Sequence, residues 1–405
     1  MKREPFQNPF KPGAGHAPPY LAGREHETKE FRKLLKQSII LENLVLTGLR
    51  GVGKTVLLDT FKPIAIQEGW RWTSTDLSES ASISEESIAT RLITDLALLA
   101  TGIVISQKAT LSIGFTSSIK LVNQPLNYNV LRYVYDNTPG LVSDKLKYVL
   151  EFVWQLLKSE GSKGIILAYD EAQNLSDQAA KDQYPLSILL DVFQSIQKKG
   201  IPFILVLTGL PTLFPKLVEA RTFSERMFHV LTLTKLNREA SHEAILKPIQ
   251  DSKCHVTFSE HTVEGIINLS NGYPYFIQFI CRELFDVFIQ KIAAGEETPS
   301  GSWEDILRKL DGDFFAGRWS RATDRQRELL EVISKLSNCD EEFTVQEIVD
   351  KSKSLPAKPF SGSHVNQLLS KLAEAGLVYK NRFGKYSFAV PLLGEFIKRQ
   401  QEERA

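Results

Sequence analysis

The chain has 405 residues, of which 42% are hydrophobic and 24% charged, with a formal net charge of +1. That length exceeds one ordinary core and suggests two or three domains, while the near-zero charge removes any global electrostatic argument for nucleic acid. No apolar run approaches a membrane span, the first residues lack the apolar centre of a signal peptide, and three scattered cysteines suit reduced structural thiols, so a cytoplasmic protein is expected.

Residues 1–19 carry five prolines and two glycines, a composition that favours an extended arm. Tyr20 to Glu25 lead into a helix with Phe31, Leu34 and Leu35 on one face; the segment suits either a base-binding wall or a plain lead-in to the domain. The most informative stretch follows. Val45, Leu46 and Thr47 form a strand-like run, and Gly48, Leu49, Arg50, Gly51, Val52, Gly53, Lys54, Thr55 and Val56 fit G-x-x-x-x-G-K-[ST] and its flanks. Glycines let the backbone curl so that successive N–H groups and a helix N-terminus point at a phosphate. Lys54 then reaches the β and γ phosphates of ATP, and the Thr55 hydroxyl sits on Mg²⁺.

Pro63 is expected to kink or end the helix begun by this loop. Arg71 to Asp76 reads as a second strand, and Ile88, Leu92, Ile93 and Leu96 recur at helical spacing. Residues 103–122 look like three short strands inserted on the α/β core, and a helix is expected from about Ser143 to Lys158. Gly164 to Tyr169 form the near-continuous apolar run of a strand covered on both faces, ending in Asp170 and Glu171. Asp170 is assigned to Mg²⁺, and Glu171 to orienting and deprotonating the attacking water. A helix from about Pro185 and a strand ending at Thr208 repeat the pattern; Thr208 either senses the γ-phosphate or satisfies the following turn. Arg226, ahead of a further strand, is either a finger supplied across a subunit interface or a solvated cation.

Residues 237–322 read as all helical, with aromatic stripes that suit a bundle core. From Thr323 onward the pattern is three helices, two of them opened by capping boxes at Thr323 and Thr344, then a hairpin around residues 381–385 and a closing helix from Pro391. That is the order of a winged helix-turn-helix. Ser361, Ser363, His364, Asn366, Gln367 and Lys371 then lie on the outer side of its third helix, with Lys380, Arg382 and Lys385 on the wing. Glu341, Glu342, Glu347 and Asp350 offset these cations, so duplex DNA and a protein partner both suit the module.

In their order, Gly48 to Thr55, Leu167 to Glu171, the strand ending at Thr208-Gly209, Ser224-Glu225-Arg226 and Asn271-Gly272-Tyr273-Pro274-Tyr275 resemble AAA+ ATPases of the origin-recognition and STAND type. The resemblance runs from about Tyr20 to the C-terminus. It implies a three-layer parallel P-loop NTPase sheet over residues 20–236, a helical lid over 237–322 and a winged helix over 323–405. It also makes Arg226 an arginine finger acting in trans in a homo-oligomer, Thr208 a sensor, and Arg24 and Pro274 nucleotide-binding residues. One departure stands out: where many members carry a lid arginine, this chain has Gly272-Tyr273-Pro274-Tyr275, closer to the Gly-x-Pro of STAND proteins. Tight ATP binding with slow Mg²⁺-dependent hydrolysis follows, in a switch that acts either on DNA or on assembly with another protein.

Overall fold

The computed structural model describes residues 7–13, 15–113, 116–252, 254, 256–296, 301–356, 358–382 and 384–403, excluding the side chains of 105–124 and 382. After a first helix α1 (Glu25–Leu34), β1 (Asn43–Gly48) leads into α2 (Lys54–Gln67) and β2 (Trp70–Asp76). Then follow α3 (Glu85–Leu99), a hairpin of β3 (Val104–Ile113) and β4 (Thr116–Pro125), α4 (Tyr128–Asn137), α5 (Val142–Ser159) and β5 (Gly164–Asp170). The α/β half closes with α6 (Pro185–Lys198), β6 (Phe203–Gly209), α7 (Leu213–Ala220), the short α8 (Ser224–Met227) and β7 (Phe228–Leu233).

The five strands other than the hairpin form one parallel sheet in the order β2-β5-β6-β1-β7. Its central strands β1, β5 and β6 are buried along their whole length, as a sheet covered on both faces requires. Leu44, Leu46, Ile166, Ala168, Ile204 and Val206 face α1 and α2, whereas Leu167, Tyr169, Leu205 and Leu207 face the layer built from α3 to α6. With a side-chain period of two, Asp170 and Thr208 fall on the α2 side at the strand ends. Asn43, fully buried at the start of β1, fixes this arrangement at the opposite edge by accepting from the Leu205 N–H at 2.8 Å and donating to the Met227 carbonyl at 3.2 Å.

Three expectations need correction. Pro63 neither ends nor interrupts α2, since Phe61, Ile64 and Ala65 stay buried and Phe61 stacks on Phe31 at 4.1 Å; tertiary packing outweighs one lost backbone bond. The insertion is a single antiparallel hairpin of two ten-residue strands rather than three short ones. The closing helix starts at Leu393, after Leu392 in a left-handed turn, two residues beyond Pro391.

The second half is helical: α9 (Arg238–Ser252), α10 (Glu260–Ser270), α11 (Pro274–Ala293), α12 (Trp303–Leu310), a wide π turn over Asp311–Ala316 and the short α13 (Gly317–Trp319). Then come α14 (Asp324–Ser334), β8 (Phe343–Thr344), α15 (Val345–Lys353), α16 (Gly362–Glu374), β9 (Val378–Arg382), β10 (Lys385–Phe388) and α17 (Leu393–Glu402). Both capping boxes form, at Thr323 with Gln326 and at Thr344 with Glu347. The strands pair antiparallel in the order β8-β10-β9, a small sheet packed with α15 and α16. One apolar core runs unbroken from α9 to α17. Among the described residues between 7 and 19 the backbone forms no helix or strand, yet Phe10 is buried in this core edge-on to Phe285.

Just ahead of Asp170, the Tyr169 phenol donates to fully buried Asp95 at 2.9 Å, and Arg91 and Thr75 donate to the same carboxylate at 3.0 Å each. This network anchors the tip of β5. Asp95→Ala is expected to destabilise the fold by about 3 kcal/mol, because it strands a buried phenol and a partly buried guanidinium. Urea unfolding followed by circular dichroism checks the loss.

Candidate functional site

The loop from Gly48 to Gly53 joins β1 to α2. Gly51 has φ 78° and Gly53 has φ 90°, the left-handed region that glycine occupies without strain. A Cβ on Gly51 would sit 3.1 Å from that of Tyr275, whereas the space over Gly53 at the start of α2 is open. Lys54 curls back over the loop and donates to the Gly48 and Leu49 carbonyls, at 2.9 Å each. The Thr55 hydroxyl donates to Asp170 at 2.5 Å.

Residues from β1, β5 and β6 thus meet at one sheet edge. Asp170 is buried, and burial raises its carboxyl above the ordinary range against the opposing pull of the Thr55 hydrogen bond. Glu171 is exposed at the mouth of the cleft, in a left-handed conformation at φ 50°. Gln173, which sequence reasoning passed over, donates to the Glu171 carboxylate and accepts from the Leu210 N–H at 3.2 Å, tethering the acid to the turn after β6. Thr208 is fully buried and its hydroxyl has no hydrogen-bond partner among the described residues. A hydroxyl so placed does not satisfy the following turn, which was one of its two expected roles.

Arg24 is buried behind the loop. Its guanidinium donates to the Val52 carbonyl at 2.9 Å, to the Thr234 carbonyl at 2.8 Å and to Glu27 at 3.1 Å, so it braces the loop against the end of β7. Pro274 begins α11 at the cleft wall, and the N–H of Tyr275 donates to the Gly51 carbonyl at 3.1 Å. The remaining wall was not legible in the sequence: Gly13, Gly15 and His16 from the N-terminal arm, and Phe314 and Arg318 from beside the π turn. A Cβ on Gly15 would lie 3.6 Å from the Thr55 methyl. Arg226 lies apart, exposed on α8, outside the cleft and without a charged partner among the described residues.

This donor set fits a polyphosphate and a divalent cation: a glycine loop with open space over Gly53, a lysine held by backbone carbonyls, and a Thr–Asp pair of hard oxygens. Among solved structures, the Walker-type ATPase PABY2304 of Pyrococcus abyssi matches with TM-score 0.53 and 15% identity, covering 93% of this chain and 96% of that one. The Aeropyrum pernix ORC2 protein in its ADP form matches with TM-score 0.55 and 15% identity, over 96% of this chain and 97% of that one. The fold is that of the origin-recognition-type AAA+ ATPases. A family model described as a domain of unknown function, DUF8462, matches residues 312–397. No curated protein matches the chain in sequence. At such identities the AAA+ likeness concerns the fold, and the chemistry rests on the residues themselves.

Burial lowers the Lys54 ammonium to about 8, against the opposing attraction of Asp170 and Glu171. With its folded value below its unfolded one, the charged form costs stability below pH 8, and that cost fades as pH climbs towards 10.5. The stability difference between K54M and wild type should therefore move in favour of wild type by about 2 kcal/mol over this interval. Denaturant midpoints at pH 7.5 and 10.5, as experimental settings, check the sign.

Proposed function

We propose that this chain is a Mg²⁺-dependent ATP-binding and ATP-hydrolysing switch whose nucleotide state governs its winged helix, with duplex DNA as the partner. The observation that carries the reading is the 2.5 Å contact of Thr55 with Asp170 directly below the glycine loop, which brings two expected Mg²⁺ ligands together. The A. pernix ORC2 protein was also solved as ADPNP–ADP complexes, at TM-score 0.52 and 14% identity over 97% of this chain and 98% of that one, which supports a nucleotide as ligand.

In this reading the amides of Leu49 to Val56 and the Lys54 ammonium hold the phosphates, and Lys54 exchanges its carbonyl partners for phosphate oxygens. Thr55 and Asp170 hold Mg²⁺, which supplies neutralisation of charge on the transferred phosphoryl group. Glu171, fixed by Gln173, orients a water and takes its proton, and Thr208 offers its free hydroxyl to the terminal phosphate. Arg24 keeps the loop in shape, and Pro274 lines the nucleotide. Exposed Arg226 is available to a neighbouring copy as an arginine finger, which makes a homo-oligomer the active assembly. Glu171→Gln should retain ATP binding and lower phosphate release at least 100-fold, read by a coupled phosphate assay beside a binding titration.

On the winged helix, Ser363, Asn366, Gln367 and Lys371 are exposed on α16, ready for a DNA groove. His364 instead turns towards Phe360, ring centroids 5.7 Å apart, and Ser361 caps the helix. Lys380 and Lys385 lie on β9 and β10; the side chain of Arg382 lies outside the described residues. The second reading, nucleotide-gated assembly with a protein as in STAND ATPases, draws support from the exposed face of α16, where Glu374 opposes Lys371. A mobility shift with duplex DNA that needs ATP and weakens steeply between 50 and 200 mM salt is expected for the first reading. Absence of any shift, with ATP changing the oligomer mass in light scattering, would favour the second.

A further inference from the structure

The cleft holds more positive charge than its own carboxylates balance. Besides Lys11 of the N-terminal arm and Arg24, which is paired with Glu27, Lys54 and Arg50 come from the glycine loop, and Arg318 comes from the far end of the chain. Arg318 is half-buried and forms no ion pair among the described residues. Its guanidinium lies over the Phe314 ring, 4.5 Å from the centroid, and donates to the Phe314 carbonyl. Burial and the neighbouring Arg50 both disfavour its charged form, with Arg321 adding to the repulsion. The Arg50 Nε is likewise buried without a hydrogen-bond partner among the described residues.

Nothing about this placement is loose. The π turn ahead of Arg318 is tied down by Asp311, which accepts from Arg399 at 2.9 and 2.5 Å. Phe315 stacks on Phe396 at 5.0 Å, and Trp319 meets the same ring edge-on at 5.9 Å. A cation locked into a cleft beside two others, without a counter-ion, is Coulombically costly unless a multiply charged anion arrives. A guanidinium matches phosphate oxygens through two parallel N–H bonds. Meanwhile the lid helix that approaches the loop, α11, opens with Pro274, Tyr275, Phe276, Ile277 and Gln278, and so brings no cation to the cleft from its first turn.

We propose that Arg318 is a phosphate ligand of the bound nucleoside triphosphate, contributed by the connector between the helical lid and the winged helix. The proposal rests on the nucleotide-binding reading above and adds to it a physical link. Arg318 lies just before α14, the first helix of the winged-helix module. The loop also touches the module elsewhere, because a Cβ on Gly376, in the turn between α16 and β9, would lie 3.4 Å from the Arg50 guanidinium. Phosphate that draws Arg50 and Arg318 together therefore acts on the module at two points.

The test uses the full chain, with fluorescent ATP and ADP analogues titrated into wild type, R318A, R318K and K54A, and the melting temperature of each unliganded protein. R318A should weaken the ATP analogue tenfold or more and the ADP analogue by less, while melting at or above the wild-type temperature because a repulsion has been removed. R318K should recover part of the lost affinity. If R318A binds both analogues as wild type does while K54A binds neither, Arg318 is a packing residue and the proposal is overturned. An equal loss for both analogues accompanied by a lower melting temperature also overturns it. If wild type itself binds neither analogue, the nucleotide reading falls first and this inference with it.

Discussion

A hydroxyl on the first turn of a helix and a buried carboxylate at the end of a strand meet at 2.5 Å, and the rest of the cleft is arranged about that contact. Asp170 ends β5, whereas Thr55 sits on the helix that follows β1, and these two strands are not neighbours: β6 lies between them. Because all three strands are parallel, their C-terminal ends open on one edge, and the period of two sends Asp170 and Thr208 to the side where α2 begins. A side chain from the intervening strand, Thr208, is thereby left buried beside the pair with its hydroxyl unspent. The packing that enforces this is ordinary: a continuous apolar sheet interior, a stacked Phe31–Phe61 pair beneath α2, and the Tyr169–Asp95–Arg91 network on the opposite face.

Electrostatics give the same cleft its direction. Lys54, Arg50 and Arg318 converge on a partly desolvated space where burial penalises the charge on Lys54 and Arg318, and the cations find carbonyl oxygens and aromatic faces rather than carboxylates. Asp170 is committed to Thr55, and Glu171 to Gln173. A polyanion with a divalent cation satisfies both sets at once, since its oxygens meet the cations and its metal meets the hard oxygen donors.

The helical half is joined to this cleft through aromatic packing rather than a hinge of polar residues. Phe276 of α11 contacts Phe314 and Phe315 of the π turn, and Phe315 continues onto Phe396 of α17. The hydrogen bond from Tyr275 to Gly51 puts the start of that ladder directly on the glycine loop.

The local pattern of residues was enough to locate the glycine loop, the apolar strand before Asp170 and Glu171, both capping boxes and the order of the C-terminal helices. Each of these is written within a few consecutive residues, where backbone curvature, periodicity or a side chain three positions away decides the outcome. Other features escaped because they depend on partners far along the chain. Pro63 stays helical because buried neighbours outweigh its missing N–H, Gln173 matters through its hold on Glu171 and the turn after β6, and α4 and α7, with 10 and 8 residues, are short for a periodic pattern to stand out. The N-terminal arm reads as mere extended chain until Phe10 is seen inside the helical core. Arg318 is an unremarkable cation in Phe-Phe-Ala-Gly-Arg-Trp, and only the folding of α11, the π turn and α17 around one aromatic cluster turns it towards Lys54. Sequence by itself determined the glycine loop and the acidic end of β5, since each is set by particular residues at fixed local spacing; tertiary structure alone decided which distant charges share the cleft, because convergence is set by packing and not by proximity along the chain.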